Sequence, residues 1–159
     1  VENPTVGLLN IGEEAEKGST FTKEAHGLMK ETAVNFVGNV EGRELMEGRV
    51  DVAVTDGFTG NIVLKVVEGV GAQLLGSLKD GILSSMRAKA GGVLLTPVLM
   101  DIKHHTDPEE TGGAILLGLN KVCIIAHGSS SAKAIKNAVR VAIRSVTNGV
   151  VEHIKQGMA

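Results

Sequence analysis

A mostly parallel α/β fold with one β-hairpin is what this sequence predicts, on three observations. Short β-branched runs such as Val50 to Thr55, VDVAVT, have the character of strands buried in a sheet. Stretches with one apolar face at helical spacing alternate with these runs. Three times, a strand ends in glycine and small polar residues and then opens a helix: LLNIGEEAEKGS, VTDGFTGN and IIAHGSSSAK. In a sheet with right-handed crossovers the ends of parallel strands share an edge, so the three turns are expected to converge on one crevice.

In order along the chain, Thr5 to Ile11 reads as a buried strand ending at Gly12, followed by a polar loop, EEAEKGS. Thr20 to Thr32 has helical spacing through Phe21, Ala25, Leu28 and Met29. Val34 to Val37 is a short strand, then Gly38-Asn39 leads to a brief helical piece around Arg43 to Met46. The strand from Arg49 stops at Asp56-Gly57. From Ile62 the spacing of Val66, Val67, Val70, Leu74 and Leu75 predicts a helix with one apolar face. Between Gly76 and His105 the pattern is helical but loose, with Gly81, Gly91-Gly92 and Pro97 as interruptions. Ala114 to Leu117 and Val122 to Ala126 are apolar runs separated by GLNK, a spacing that suits a β-hairpin. A final helix is expected from Ala132 to about Gln156, burying Ala134, Ile135, Ala138, Val141, Ala142, Val146 and Val150.

With 159 residues, 43% hydrophobic and 21% charged, the chain has the composition of a folded domain, and one α/β region over 1–159 is expected. A net charge of -2, scattered basic residues and the lack of Trp and Tyr argue against nucleic acid as a partner. Cys123, the single cysteine, lies in an apolar run and reads as a buried hydrophobe in a protein of a reducing compartment. The first residues show no basic and apolar regions of a signal peptide, and the absent initiator Met suits a segment of a longer protein. Charges at Lys65, Glu68, Lys79, Asp80, Arg87 and Lys89 interrupt Ile62 to Met100, so a membrane-spanning helix is not expected there. His104-His105 lack partners at metal-ligand spacing and read as loop residues, with no zinc site.

The three turns together supply Asn10, Glu13, Lys17, Ser19, Asp56, Thr59, Asn61, His127, Ser129, Ser130 and Ser131, with the N–H groups of Gly12, Gly57, Gly60 and Gly128. Such a set, rich in hydrogen-bond donors and carrying one fixed cation, suits phosphate or another small oxyanion better than an apolar ligand. Neither a GxxxxGK[ST] loop nor a GxGxxG fingerprint is present, and no GxSxG elbow makes Ser129 to Ser131 hydrolase nucleophiles. Each residue also has a structural reading. Thr59, Asn61 and the three serines are helix-capping types, Lys17 sits in an acidic, solvated loop, and His127 suits a hydrogen-bonded strand end.

LLNIGEEAEKG, FVGNVEGRELMEGRVDVAVTDGFTGNIVLK, TGGAILLG and AHGSSSAKAIKNAVR resemble, in the same order and over nearly the whole chain, the carboxyl-terminal half of the phosphate acyltransferase family of bacterial phospholipid synthesis (PlsX). Thr111 stands where that family usually has an aromatic residue. The resemblance implies a three-layer α/β/α Rossmann-like fold similar to isopropylmalate dehydrogenase and phosphate acetyltransferase. It implies transfer of a fatty acyl group from acyl carrier protein to inorganic phosphate, in a cytoplasmic homodimer that can associate peripherally with the membrane. No cofactor or metal is implied.

By the same resemblance Lys17 and Asn61 belong to the active site. His127 is expected to complete it, with Asn10, Gly12, Asp56, Gly57, Thr59, Gly60, Gly128, Ser129 and Ser130 binding phosphate. Residues 76–105 are expected to form a helical excursion, its apolar face flanked by Arg87, Lys89 and Lys103, for a dimer or membrane contact. Two alternatives stand beside this reading. One is a phosphate acetyltransferase-like enzyme using acyl-coenzyme A, and the other an inactive fragment that only binds phosphate or acyl carrier protein.

Overall fold

The computed structural model describes residues 1–106 and 108–158, with the side chains at 103–106 and 108 excepted. The chain divides into two compact units, Val1–Leu75 and Gly76–Ala159.

The first unit alternates strand and helix: β1 (Thr5–Leu9), α1 (Thr20–Lys30), β2 (Asn35–Val40), α2 (Gly42–Glu47), β3 (Val52–Val54) and the start of α3 (Gly57–Leu83). The strands form a parallel sheet in the order β2-β1-β3. This is the predicted α/β, Rossmann-like arrangement, and the order reverses at β1, because the chain first adds β2 on one side and then β3 on the other. Such a reversal leaves the connections after β1 and β3 on either side of a crevice at the carboxyl edge.

The core of this unit is small and centred on β1, where Val6, Leu8 and Leu9 are buried with Val40 of β2. Gly7 lets the neighbours close in, since a Cβ there would lie 2.7 Å from Val40 Cγ1 and 3.1 Å from Val50 Cγ1. At the other end of the strand, the Thr5 N–H and hydroxyl donate to Asp51 Oδ2 at 2.8 and 2.7 Å, tying the start of β1 to the approach to β3. These bonds hold the Asp51 carboxyl below its usual range.

Several sequence expectations are corrected here. β1 ends at Leu9, and Ile11 is 80% exposed, because Asn10 already turns out of the ladder. β2 is longer than expected and is bulged: the register shifts between Val6 and Gly7, and Gly38 takes φ 105°. β3 is exposed at all three residues, since it is the outer strand and pairs only with β1 among the described residues. On α1 the residue that is buried is His26, while Phe21 and Leu28 are 62% and 60% exposed.

In the second unit follow the rest of α3, then α4 (Met86–Thr106), α5 (Pro108–Thr111), β4 (Ala114–Ile115), β5 (Ile124–Ile125), α6 (Ala132–Thr147) and α7 (Val150–Gly157). The expected hairpin forms, with Ala114 opposite Ile125 and Ile115 opposite Ile124. Gly112 makes its approach to α6 possible. It has φ 82°, and a Cβ there would run into the backbone of Asn137 and Ala138. Asn137 is itself buried and donates to the Glu109 carbonyl at 2.9 Å, so α5 is pinned to α6.

The final helix is in fact two, because Gly149 adopts φ 60° and breaks it. Of the residues expected on its buried side, Ala134 and Ala138 are buried, whereas Ile135 and Val146 are 49% and 66% exposed. Cys123 is exposed as well, since the short hairpin leaves one face open. The interruptions expected at Gly81, Gly91-Gly92 and Pro97 all lie within helices, and a short break falls instead between Leu83 and Met86. His104-His105 are helical in backbone rather than looped, and the question of a metal there falls on side chains outside those described.

α3 is 27 residues long and buries none of them. Its length and its mean hydropathy of 1.2 over an 18-residue window are sufficient for a bilayer crossing, which the charges were expected to preclude. Lys65 and Glu68 pair at 2.7 Å on one face, and the other charges, Lys79 and Asp80, fall near the helix end. Apolar helices that dock on protein meet the same criterion.

Candidate functional site

The turn after β1 is the most extensively fixed of the three. The Asn10 N–H donates to the Val40 carbonyl at 2.9 Å, so the residue stays against the sheet as it turns away. Its side chain then organises the loop: Nδ2 donates to the Lys17 carbonyl at 3.1 Å, and Oδ1 accepts from the Ile11 N–H at 2.9 Å. Gly18 closes the loop at φ 90°, where a Cβ would run into Asn10 Oδ1 and Thr22 Oγ1. Ser19 caps α1, accepting from the Thr22 N–H at 3.2 Å.

Lys17 extends from this framework. Its aliphatic stem crosses buried Gly12, where a Cβ would sit 3.1 Å from Lys17 Cγ. Glu13, Glu14 and Glu16 are close in sequence, yet among the described residues no carboxylate pairs with the Lys17 ammonium. Glu13 instead accepts from Arg49 Nη1 at 2.9 Å, and Arg49 also pairs with the buried carboxylate of Glu44. The neighbouring positive charge is therefore engaged, while that of Lys17 is open to an anion.

β3 ends beside β1, with Val54 paired to Leu8, so the second turn lies at the same edge as the first. Here the helix starts at Gly57, five residues before the expected Ile62, because Asp56 is an effective cap. Its Oδ1 accepts from the N–H groups of Phe58 and Thr59 at 3.0 and 2.9 Å. The Thr59 side chain and N–H hold the carboxyl below its usual range, with a smaller contribution from the Phe58 N–H.

Two consequences follow for the site. The first-turn N–H groups of Phe58 and Thr59 are already occupied by the Asp56 carboxylate. Thr59, Gly60 and Asn61 belong to the helix rather than to a loop. The Gly60 N–H donates to the Asp56 carbonyl at 2.9 Å. Asn61 is exposed, and among the described residues its amide has no hydrogen-bond partner, which leaves a donor at the edge Lys17 shares.

The third turn belongs to the second unit and follows β5, a strand paired antiparallel to β4. His127 Nδ1 accepts from the Ser129 N–H at 3.2 Å and lies 2.6 Å from Ser129 Oγ. The ring therefore carries its proton on Nε2, and the Ser129 hydroxyl donates to Nδ1. The Ser130 N–H donates to the His127 carbonyl at 3.0 Å, and Ser131 caps α6. Gly128 is exposed, with open space around it.

Lys17, Asn61 and the residues around them thus share one sheet edge, while His127, Gly128, Ser129 and Ser130 form a self-contained turn in the other unit. Sequence reading missed His26 and Asn39. Asn39 Nδ2 donates to the Glu14 carbonyl in the Lys17 loop at 2.8 Å, and its Oδ1 lies 2.8 Å from His26 Nδ1. A lone His within an amphipathic helix gives no signal of this. The only cue was Asn39 within the quoted FVGNVEGR stretch. Among the described residues no group of three His, Cys, Asp or Glu side chains could hold a metal.

A parallel sheet whose order reverses at β1, with an open lysine and an open amide donor at its carboxyl edge, defines a Rossmann-like α/β domain. A family model described as "Fatty acid synthesis protein" matches residues 1–153, and the chain belongs to that family. It is 54% identical over 155 residues to a phosphate acyltransferase of Clostridium novyi (strain NT), covering 98% of this chain and 47% of that protein. The phosphate acyltransferase of Clostridium botulinum (strain Loch Maree / Type A3) is 49% identical over 158 residues, 99% of this chain and 47% of its own length. That of Pelotomaculum thermopropionicum is 50% identical over 155 residues, 98% of this chain and 45% of its own. The chain spans about half the length of the curated relatives it matches.

Proposed function

We propose that the protein carrying this chain transfers a fatty acyl group from acyl carrier protein to inorganic phosphate, giving an acyl phosphate for phospholipid synthesis. The observation that carries this reading is the meeting of the Lys17 and Asn61 turns at the edge where strand order reverses. Kinship with proteins named phosphate acyltransferase supplies the reaction class.

The chemistry requires little more than positioning and charge stabilisation. A phosphate oxygen attacks the thioester carbonyl, a tetrahedral oxyanion forms, and the C–S bond breaks as the new C–O bond is completed. The carrier's thiolate leaves and takes up a proton from solvent. Lys17 binds phosphate and offsets its charge. The Asn61 amide donates to phosphate or to the oxyanion, a contribution that is large when the donor is held in place beforehand. His127, its ring oriented by Ser129, is assigned a part in the same reaction, as are Gly128 and Ser130 of its turn.

The donor is tested in the full-length protein by supplying phosphate with acyl-acyl carrier protein or with acyl-coenzyme A, and assaying acyl phosphate. Formation from the carrier protein supports the reading. Turnover with coenzyme A alone transfers the assignment to an acetyltransferase-like enzyme, and phosphate binding without turnover from either donor overturns catalysis altogether.

The homodimer and a peripheral position at the inner face of the membrane belong to the same reading. Both are assigned to residues 76–105, supported by the exposure of Val93, Leu94 and Leu95 at 72%, 81% and 50%. Changing these three to polar residues and following liposome flotation separates membrane contact from dimer contact, provided the variant stays dimeric.

A further inference from the structure

We propose that His26 and Asn39 are positioning residues that set the Lys17 loop for phosphate. This inference rests on the phosphate role of Lys17 given above.

The assignment of protons follows from one fixed acceptor. The Glu14 carbonyl can only accept, so the side of the Asn39 amide that faces it, at 2.8 Å, must be the NH2 group. The amide oxygen then faces His26, and the 2.8 Å contact requires His26 to donate from Nδ1. A backbone carbonyl on the Lys17 loop thus dictates the amide orientation of Asn39 and, through it, the tautomer of a histidine on α1.

The same carbonyl also accepts from the Lys17 N–H at 3.1 Å. Asn39 and Lys17 therefore converge on one oxygen, and the Lys17 carbonyl is held in turn by Asn10 Nδ2. Both peptide groups of Lys17 are anchored, one to the helix and strand through His26 and Asn39, the other to the end of β1. Burial keeps water from competing, since Asn39 and His26 are each 5% exposed. Phe36 packs edge-on to the imidazole with ring centroids 5.2 Å apart, fixing its plane.

His26 Nε2 is buried and has no partner among the described residues. On the Nδ1–H tautomer this nitrogen is a bare acceptor, a smaller loss than an orphaned N–H, which the alternative tautomer would bury. The 2.8 Å contact to Asn39 therefore makes Nδ1 the nitrogen through which His26 acts on the loop.

The test begins with the wild-type protein, selectively 15N-labelled at histidine. Long-range 1H–15N correlation should show His26 as the Nδ1–H tautomer, and an Nε2–H tautomer would overturn the relay whether or not any variant folds. Steady-state kinetics of the full-length protein follow. Asn39→Asp keeps the acceptor for His26 but removes the donor to Glu14, and His26→Leu keeps volume but removes the Nδ1 donor. Each should raise the phosphate KM about tenfold, the scale of one lost hydrogen bond, with the thioester KM unchanged. His26→Asn, which restores an N–H near the same place, should recover most of the loss.

Combining Asn39→Asp with Lys17→Ala should add no further change in the phosphate KM, whereas a merely structural role would add its full effect. If Lys17→Ala alone leaves the phosphate KM unchanged, the phosphate role of Lys17 falls and this inference with it. If Lys17→Ala raises it and Asn39→Asp does not, the positioning role alone is refuted.

Discussion

The turn after β1 and the turn after β5 carry the same local pattern, a strand end, glycine and small polar residues before a helix, and the structure treats them oppositely. The first is held from a distance: Asn39 reaches Glu14 across 25 residues of sequence, and Arg49 reaches Glu13 across 36. The bonds of the second, from His127 to Ser129 and Ser130, span only two or three residues. A turn fixed by a sheet and a helix can hold a charged side chain in one place before a ligand arrives. One fixed by its own residues orients its histidine only relative to the turn itself. Lys17 is thus a preorganised group, and His127 an oriented but locally supported one.

Matched glycine substitutions break this comparison most sharply. At Gly18, alanine meets both a strained φ of 90° and the oxygens of Asn10 and Thr22. Gly18→Ala should therefore lower stability by about 2 kcal/mol or more in chemical unfolding, and weaken phosphate use along with it. A smaller effect is expected at Asp56. Its folded-state carboxyl is held below the ordinary range, so its contribution is present above the unfolded value and is lost as pH falls through the folded one. Thermal unfolding of Asp56→Ala should show lower stability than wild type near neutral pH, with the gap closing on acidification.

The smallest effect belongs to Gly128, where an added Cβ meets nothing within 4 Å and φ is not positive. Gly128→Ala should leave stability unchanged or raise it by up to about 1 kcal/mol in the same unfolding experiment. A large loss there would mean that the two turns are more alike than their hydrogen bonds indicate.

The legible part of the fold was the part that local chemistry decides. Ser131 caps α6 where a capping type stood before an apolar pattern. The parallel order was legible as alternation, and the shared edge of the first two turns followed from it. The start of α3 was not, because Gly57-Phe58-Thr59-Gly60 has weak helical propensity, and the carboxylate of Asp56 overrides it.

Nor was the inward face of α1 legible. Phe21 and Leu28 are the more apolar residues, but His26 is the one with a buried partner, Asn39 on β2, and partners distant in sequence leave no local pattern. The exposed apolar faces of β3 and α3 were misjudged for a related reason. Apolar periodicity records that a face suits burial, and not what covers it.

The most direct test is the rate of acyl phosphate formation against phosphate concentration in the full-length protein, for Lys17→Ala and Asn61→Ala. Each should lose about 10²–10³-fold in turnover, as expected for the removal of one preorganised donor. Wild-type turnover in both variants would contradict the placement of the site at the edge shared by β1 and β3.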